Sequence, residues 1–293
     1  MILTPIHVTW GTQIEFTDTN NNNEDFFKQS KSYWTQLLTE RRLLVFKQMH
    51  LQDRFYGLMG RYFGVPWDKE LYTLTNENTI TGIVDKEKFV VGIASNVTKN
   101  SQQTQELVWH ADLPNLIDDS LPGYQPYPIR SLYLIRHLLE HNPTTNWMDM
   151  TSAIDFLPPD MLELAQRMQV VQHDPYAGST FKSVPNQIYP FIKIHPITGK
   201  KSLRLNIYDN ATPGVPKGYI KSVMLDGEVM PNNELLRQFI TYLEQIPELV
   251  YKHNWDLYDI VVYDNHSTLH SRAPVTGPLG TRKILRMNIN WIY

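Results

Sequence analysis

Cysteine is missing from all 293 residues of this chain. Its absence excludes disulfides, thiolate metal ligands and cysteine nucleophiles together, and it is compatible with a cytoplasmic location. Apolar stretches long enough to cross a bilayer are also missing, so no transmembrane helix is expected. The opening residues Met1-Ile2-Leu3-Thr4-Pro5-Ile6-His7 lack the basic and apolar regions of a signal peptide, which makes a soluble protein the expectation. Nor is there a block of one charge sign. A formal net charge of −3 spread along the chain argues against a nucleic-acid or membrane-surface partner. A homo-oligomer is left open.

What is present is apolar and aromatic material, 42% and 12% of the chain, enough for a large core and an aromatic-lined cavity. Helical spacing marks Glu24–Glu40, Leu51–Phe63, Pro158–Met168 (with proline in its first turn) and Asn232–Gln245. Leu43–Phe46, Ile260–Tyr263 and Ile284–Ile292 predict strands, and Phe191–Ile194 with Leu203–Ile207 predicts a hairpin around Pro196-Ile197-Thr198-Gly199. Ser131–Leu139 fits either strand or helix. Many short strands without a βαβ rhythm predict a mainly β sandwich or barrel with flanking helices. Residues 1–293 contain no repeat and no linker that would divide them, so a single domain is expected.

Three segments carry chemistry. In Trp109-His110-Ala111-Asp112, residues two apart on an extended chain point the same way, so His110 and Asp112 can reach one metal. Alone this is a weak signal, given ten histidines in the chain. The second segment, Trp255 to His270, is a polar turn leading into a buried strand that ends in Asp264-Asn265 with His266 and His270 beyond. In the third, Arg282 and Arg286 sit four apart at the start of a strand. Two histidines and a carboxylate on one face of an iron leave three positions open, two for a chelating 2-oxo acid and one for dioxygen. The far carboxylate of such a co-substrate needs a fixed cation, and the planar fork of arginine suits it. Trp109, Phe181 and Tyr208 are candidates to line a substrate pocket.

Taken together, these segments resemble the taurine dioxygenase and clavaminate synthase branch of the iron(II)/2-oxoglutarate oxygenases. The Trp-His-x-Asp segment, the Trp-x(3)-Asp-x(4)-Asp-Asn-x(4)-His segment, and an arginine sixteen residues after the last histidine all match in order and separation. Arg42–Lys47 with Phe63-Gly64, Thr145–Met150, His195–Gly199 and Leu205-Asn206 extend the match along the chain. The resemblance implies a double-stranded β-helix (jelly-roll) fold with the site in its mouth, under loops from roughly 65–106 and 175–187. It implies iron(II) held by His110, Asp112 and His270, with 2-oxoglutarate and dioxygen as co-substrates. It also implies Arg286 as partner of the 2-oxoglutarate C5 carboxylate, Thr145 as its hydroxyl donor, and Arg282 as a further basic residue nearby. The expected reaction hydroxylates or desaturates a small amino-acid-derived or specialised metabolite, as in natural product biosynthesis, releasing succinate and carbon dioxide. A carboxylate at Asp112 fills the place where the family's halogenases hold chloride, which implies oxygenation rather than halogenation.

Departures narrow the substrate. The family's Gly-Gly before the threonine is replaced by Pro143 and Thr144, its His-Pro-x-x-Arg-Thr-His-Pro runs here as Tyr189 to Pro196 with Lys193 at the arginine, and Glu106 stands where a taurine-binding asparagine would. Taurine is therefore not the expected substrate. Two rival functions are a non-catalytic jelly-roll binding protein and a zinc metallopeptidase built on His137-Leu138-Leu139-Glu140-His141, a His-x-x-Glu-His pattern. The peptidase needs a helix there, and Asn142-Pro143 would cut such a helix short.

Overall fold

A computed structural model describes residues 1–17, 30–51, 56, 59–66, 81–83, 90–95, 106–112, 129–137, 143–172, 187–206, 220–230, 234–274 and 282–290. Its strands begin with β1 (Ile2–Pro5), β2 (Thr12–Glu15), β3 (Leu43–Phe46), β4 (Val65–Pro66), β5 (Thr81–Ile83) and β6 (Val90–Ser95). There follow β7 (Leu107–His110), β8 (Ile129–His137), β9 (Thr145–Asp149), β10 (Met168–Gln172), β11 (Gln187–Pro190), β12 (Ile192–Ile194) and β13 (Lys201–Leu203). The last are β14 (Ile220–Leu225), β15 (Glu228–Val229), β16 (Val250–His253), β17 (Ile260–Asp264), β18 (Thr268–Arg272) and β19 (Arg282–Asn290). The α-helices among the described residues are α1 (Lys31–Arg41), α2 (Pro159–Arg167) and α3 (Glu234–Leu243).

Two sheets frame the site. The large one runs β1-β2-β3-β17-β8-β19-β6-β5, with β4 also on β19, and the small one runs β16-β9-β18-β7. Behind the small sheet lie a further sheet, β11-β10-β14-β15, and the β12–β13 hairpin. This is the double-stranded β-helix of the family that the motifs resemble.

The alternation of buried residues explains the layering. Every residue of β17 is buried, because β3 and β8 flank it and both its faces are covered. Ile260 and Val262 join the cluster beneath α1, with Trp34, Leu38, Leu44 and Phe46. Val261 and Tyr263 point the other way, toward Trp147 and Trp255 between the two sheets. On the small sheet Met148 and Leu269 face outward to a third cluster, where α3 contributes Leu236, Phe239, Ile240 and Leu243 at helical spacing.

The helix ends follow ordinary capping physics. Pro159 sits in the first turn of α2, where a missing N–H costs nothing. At the end of α1, Arg42 adopts a left-handed conformation (φ 64°) and its N–H closes onto Leu38 O at 2.7 Å. That turn delivers the Arg42 guanidinium to Asp149 in a fully buried bidentate pair, at 3.0 and 2.8 Å. Asp149 also accepts the N–H groups of Thr151 and Ser152, so the pair ties α1 to the end of β9.

Against the expected elements, residues 131–137 of the ambiguous segment Ser131–Leu139 lie in strand β8, its last two residues are outside the described residues, and the hairpin pairs Ile192–Ile194 with Lys201–Leu203. Residues 18–29, which include positions 24–29 of the expected first helix, lie outside the described residues. No helix among the described residues is long and apolar enough to cross a membrane.

Candidate active site

The small sheet sets the site in two parallel rows on its inner face. In the first row Tyr251, Trp147, His270 and His110 stand opposite one another across β16, β9, β18 and β7. Adjacent strands are about 4.8 Å apart, so neighbours in such a row come within reach of one another. The rings of His110 and His270 are accordingly 4.1 Å apart between centroids. In the second row His253, Thr145 and Arg272 stand opposite one another, two residues along the same strands.

Asp112 completes the first row. It lies two residues past His110, and one ligand atom from each of His110, Asp112 and His270 falls within 4.8 Å of the others. Nδ1 of His110 is 2.6 Å from the Val108 carbonyl, which fixes the proton there and leaves Nε2 to act as a ligand. His270 Nε2 is 3.4 Å from Asp112 Oδ2. Tyr263, rising from β17 in the facing sheet, donates its O–H to the same oxygen at 3.2 Å. The Asp112 backbone is clamped on both sides by Asn265, whose Oδ1 accepts its N–H at 2.9 Å and whose Nδ2 donates to its carbonyl at 2.7 Å. Asn206 Nδ2 holds the carbonyl of the intervening Ala111 at 3.4 Å.

Two imidazoles and one carboxylate on one side of a common point suit iron(II), with the remaining positions open. The donor set fits the metal expected from the motifs, and its surroundings hold the donors in register.

Around the second row the charges are cationic. Trp255 donates its indole N–H to Thr145 Oγ1 at 2.8 Å. Arg282, from the start of β19, lies 5.9 Å from the Trp255 ring. Burial, and behind it the neighbouring Arg272, pushes the Arg282 guanidinium down to about 9, so it remains a cation at neutral pH. Two arginines brought together out of water favour an anion between them. Arg286 is on the same strand, opposite Leu132 and Gly92.

The remaining candidates fall elsewhere. His266 is buried, its ring 4.8 Å from His195, and it does not join the His110–Asp112–His270 group. Burial, and then the nearby Lys193, lowers it well below the ordinary histidine range. Trp109 requires a correction. As the neighbour of His110 on a strand it points to the opposite face, packs against the outer cluster and donates its N–H to Glu244 at 3.2 Å, away from the pocket side. Phe181 and Tyr208 lie outside the described residues, as do most of the two loops expected over the site. His137 closes strand β8 rather than lying on a helix, and Glu140 and His141 are outside the described residues.

Arg272, Tyr263 and Asn206 carried no expected role in the site. For Arg272 a signal existed: it is two residues after His270, the spacing that returns a strand side chain to the same face. Asn206 stood in the Leu205-Asn206 match but without a role, and Tyr263 had no signal; their partners are 95 and 151 positions away.

Fold and site together define a non-haem iron(II)- and 2-oxoglutarate-dependent dioxygenase. The chain belongs to the taurine catabolism dioxygenase TauD, TfdA family, whose model matches residues 3–288. It is similar to (S)-phenoxypropionate/alpha-ketoglutarate-dioxygenase of Sphingobium herbicidovorans, 23% identical over 292 residues, covering 93% of this chain and 89% of that one. It is also similar to an alkylsulfatase of Acinetobacter baylyi, 24% identical over 253 residues, covering 80% and 68%. Among solved structures, AAD-2 in complex with Mn(II) and N-oxalylglycine superposes with a TM-score of 0.64 at 18% identity, covering 100% of this chain and 98% of that one.

Proposed function

We propose that this enzyme oxidises a C–H bond of a small organic anion, with iron(II) held by His110, Asp112 and His270. The observation that carries the reading is the convergence of those three donors to within 4.8 Å, beside a row bearing Thr145 and Arg272. When bound, the iron supplies dioxygen activation coupled to decarboxylation of 2-oxoglutarate to succinate and carbon dioxide. The chain supplies positions and charge. Val108 and Tyr263 orient His110 and Asp112, and Asn265 holds the Asp112 backbone in place.

For the C5 carboxylate of 2-oxoglutarate, the family resemblance implied Arg286, sixteen residues after His270. The environment that Thr145 and Arg282 share at Trp255 supports Arg282 instead, with Thr145 beside it. The Trp255 N–H occupies the Thr145 oxygen as an acceptor, so the threonine's own O–H is turned toward another acceptor. Arg286 lies four residues along the strand, about 13 Å away along the backbone and nearer the Tyr263 end of the sheet. We assign it to an anionic group of the primary substrate. The similar enzymes named for phenoxypropionate and for alkyl sulfates support a small anion. An amino-acid-derived carboxylate or related specialised metabolite fits the same description.

The test is anaerobic titration of the iron-loaded protein with 2-oxoglutarate, following the metal-to-ligand charge-transfer band. Arg282→Ala should weaken co-substrate binding by about 2–5 kcal/mol, roughly 30-fold to several-thousand-fold. Arg286→Ala should leave that affinity near wild type and instead raise KM in a panel of small carboxylates and sulfates scored by stimulated succinate release. The reverse pattern would return the C5 carboxylate to Arg286. Loss of iron binding in His266→Ala but not in His270→Ala would overturn the ligand set.

A further inference from the structure

The first row of the small sheet does not stop at the metal ligands. Past His270 it continues to Trp147 and then to Tyr251 on the edge strand β16. Trp147 is fully buried, whereas Tyr251 is half-buried at the sheet edge. Trp147 also meets Tyr263 edge-on, with ring centroids 5.6 Å apart, and Tyr263 in turn lies 5.3 Å from the His270 ring and is bonded to Asp112. Trp255 adds a parallel branch, 6.4 Å from Trp147 and 4.6 Å from His253. The steps from Trp147 through Tyr263 to His270 are ordinary aromatic contacts, and Tyr251 joins them by standing opposite Trp147 in the register and through the His253 ring, 5.8 Å from Tyr251 and 6.3 Å from Trp147. Together they place Tyr263, Trp147 and Tyr251 as oxidisable rings at successive positions between the candidate metal site and strand β16.

The outer end of the line is equipped for proton transfer. The Tyr251 hydroxyl is 2.9 Å from Nδ1 of His253, and Nε2 of His253 is 3.2 Å from Asp259. With the Nε2 proton directed at the carboxylate, Nδ1 is the acceptor for the phenol. Burial keeps the Tyr251 phenol protonated, raised to about 12, so the proton is present to be given. Asp259 is anchored by Lys47 at 2.5 Å and by the N–H groups of Gln48 and Asp256, each at 3.0 Å.

We infer that Tyr251, His253 and Trp147 form a relay that drains oxidising equivalents from the metal centre when no primary substrate is there to consume them. This rests on the proposed iron site. The oxidant is the one that dioxygen and 2-oxoglutarate generate at the iron. The electron leaves Tyr251 through Trp147 toward the centre, reducing it by one equivalent. The phenolic proton moves to Nδ1 of His253, giving a neutral tyrosyl radical and an imidazolium beside Asp259. An external thiol or ascorbate then gives one hydrogen atom, an electron with a proton, to the tyrosyl radical and re-forms the phenol, and the proton on His253 is released. Damage is thereby moved from Trp147 and Tyr263, whose loss would break the site, to an edge residue that can be re-reduced.

Two arms test it. In the first, the full chain carries zinc(II), which is redox-silent, and pulse-generated azidyl radicals oxidise tryptophan while absorbance follows the handover from tryptophan to tyrosine radical. Wild type should show a first-order phase independent of protein concentration, and Tyr251→Phe should lose it. An unchanged phase in Tyr251→Phe overturns the relay whether or not the iron assignment is right, and metal analysis of the same sample reports separately on the site. In the second arm, iron-loaded protein consumes 2-oxoglutarate without primary substrate, and peptide mass spectrometry locates oxidised residues. Tyr251→Phe should keep its substrate-coupled rate yet accumulate oxidation at Trp147 and Tyr263 and inactivate in fewer turnovers. Equal oxidation patterns in the two proteins would sink the relay.

Discussion

The two ends of β17 carry the same device, a buried aspartate set against a buried histidine, and they serve different halves of the site. At one end Asp264 lies 3.1 Å from Nε2 of His195, with both side chains almost fully enclosed. His195 in turn accepts the N–H groups of Ile197 and Thr198 on Nδ1, at 3.2 and 3.1 Å, which fixes its tautomer. The adjacent Asn265 clamps Asp112, so this end supports the metal ligands. At the other end Asp259 lies 3.2 Å from Nε2 of His253, but it is also joined to Lys47, which reaches out to the exposed Asp256. This end supports Trp255 and, through it, Thr145. A carboxylate enclosed by the chain has no water to fall back on, whereas one linked to a surface ion network does. The same substitution should therefore cost more at Asp264.

Asp264→Asn is the larger break. Removing one partner of an enclosed pair costs about 3–5 kcal/mol, read from urea unfolding, and iron(II) affinity should fall with it as Asn265 loses its footing. Burial alone would raise the Asp264 carboxyl, but His195, His266 and Ser267 overcome it and hold it far below the ordinary range. A depressed folded-state value means that this stabilisation is present above the unfolded carboxylate range and is lost as pH falls toward the folded value. Wild type should thus keep this contribution into strong acid, and the acid limb of its stability curve should flatten in Asp264→Asn. An unchanged acid limb would show that the charge is not what the pair contributes.

Asp259→Asn should cost less, about 1–3 kcal/mol, because Lys47 can turn to water. Its signature is a split. Co-substrate affinity should drop while iron(II) affinity, measured before 2-oxoglutarate is added, stays at the wild-type value. Equal losses of both would mean that the two ends of β17 are not separable.

Trp255→Phe sharpens the comparison with the smallest change. It keeps a ring beside Arg282 and His253 but deletes the N–H given to Thr145. One such bond is worth about 0.5–1.5 kcal/mol, so 2-oxoglutarate should bind roughly 2- to 13-fold more weakly, with iron binding untouched. Wild-type affinity in this variant would remove Trp255 as the residue that orients the threonine.

Strand period let His110 and Asp112 reach one metal, because a strand returns every second side chain to one face, and the family resemblance completed the set with His270 over His266. The buried run of β17 and the helices α2 and α3 were legible for similar local reasons. Trp109 shows the limit of that logic: an aromatic beside a ligand looks like pocket lining, yet the same alternation turns it outward.

What the linear sequence could not hold is register. The rows Tyr251–Trp147–His270–His110 and His253–Thr145–Arg272 exist only once β16, β9, β18 and β7 pair in one alignment, and a slip of one residue would turn every side chain of a strand to the other face. Likewise Asp264 and Asp259 stood plainly in a motif, but the histidine facing the first comes from a hairpin 69 residues earlier. Chemistry and local direction were set by residue identity and strand period; which groups meet was decided by tertiary pairing, since contact across strands depends on alignment and not on distance along the chain.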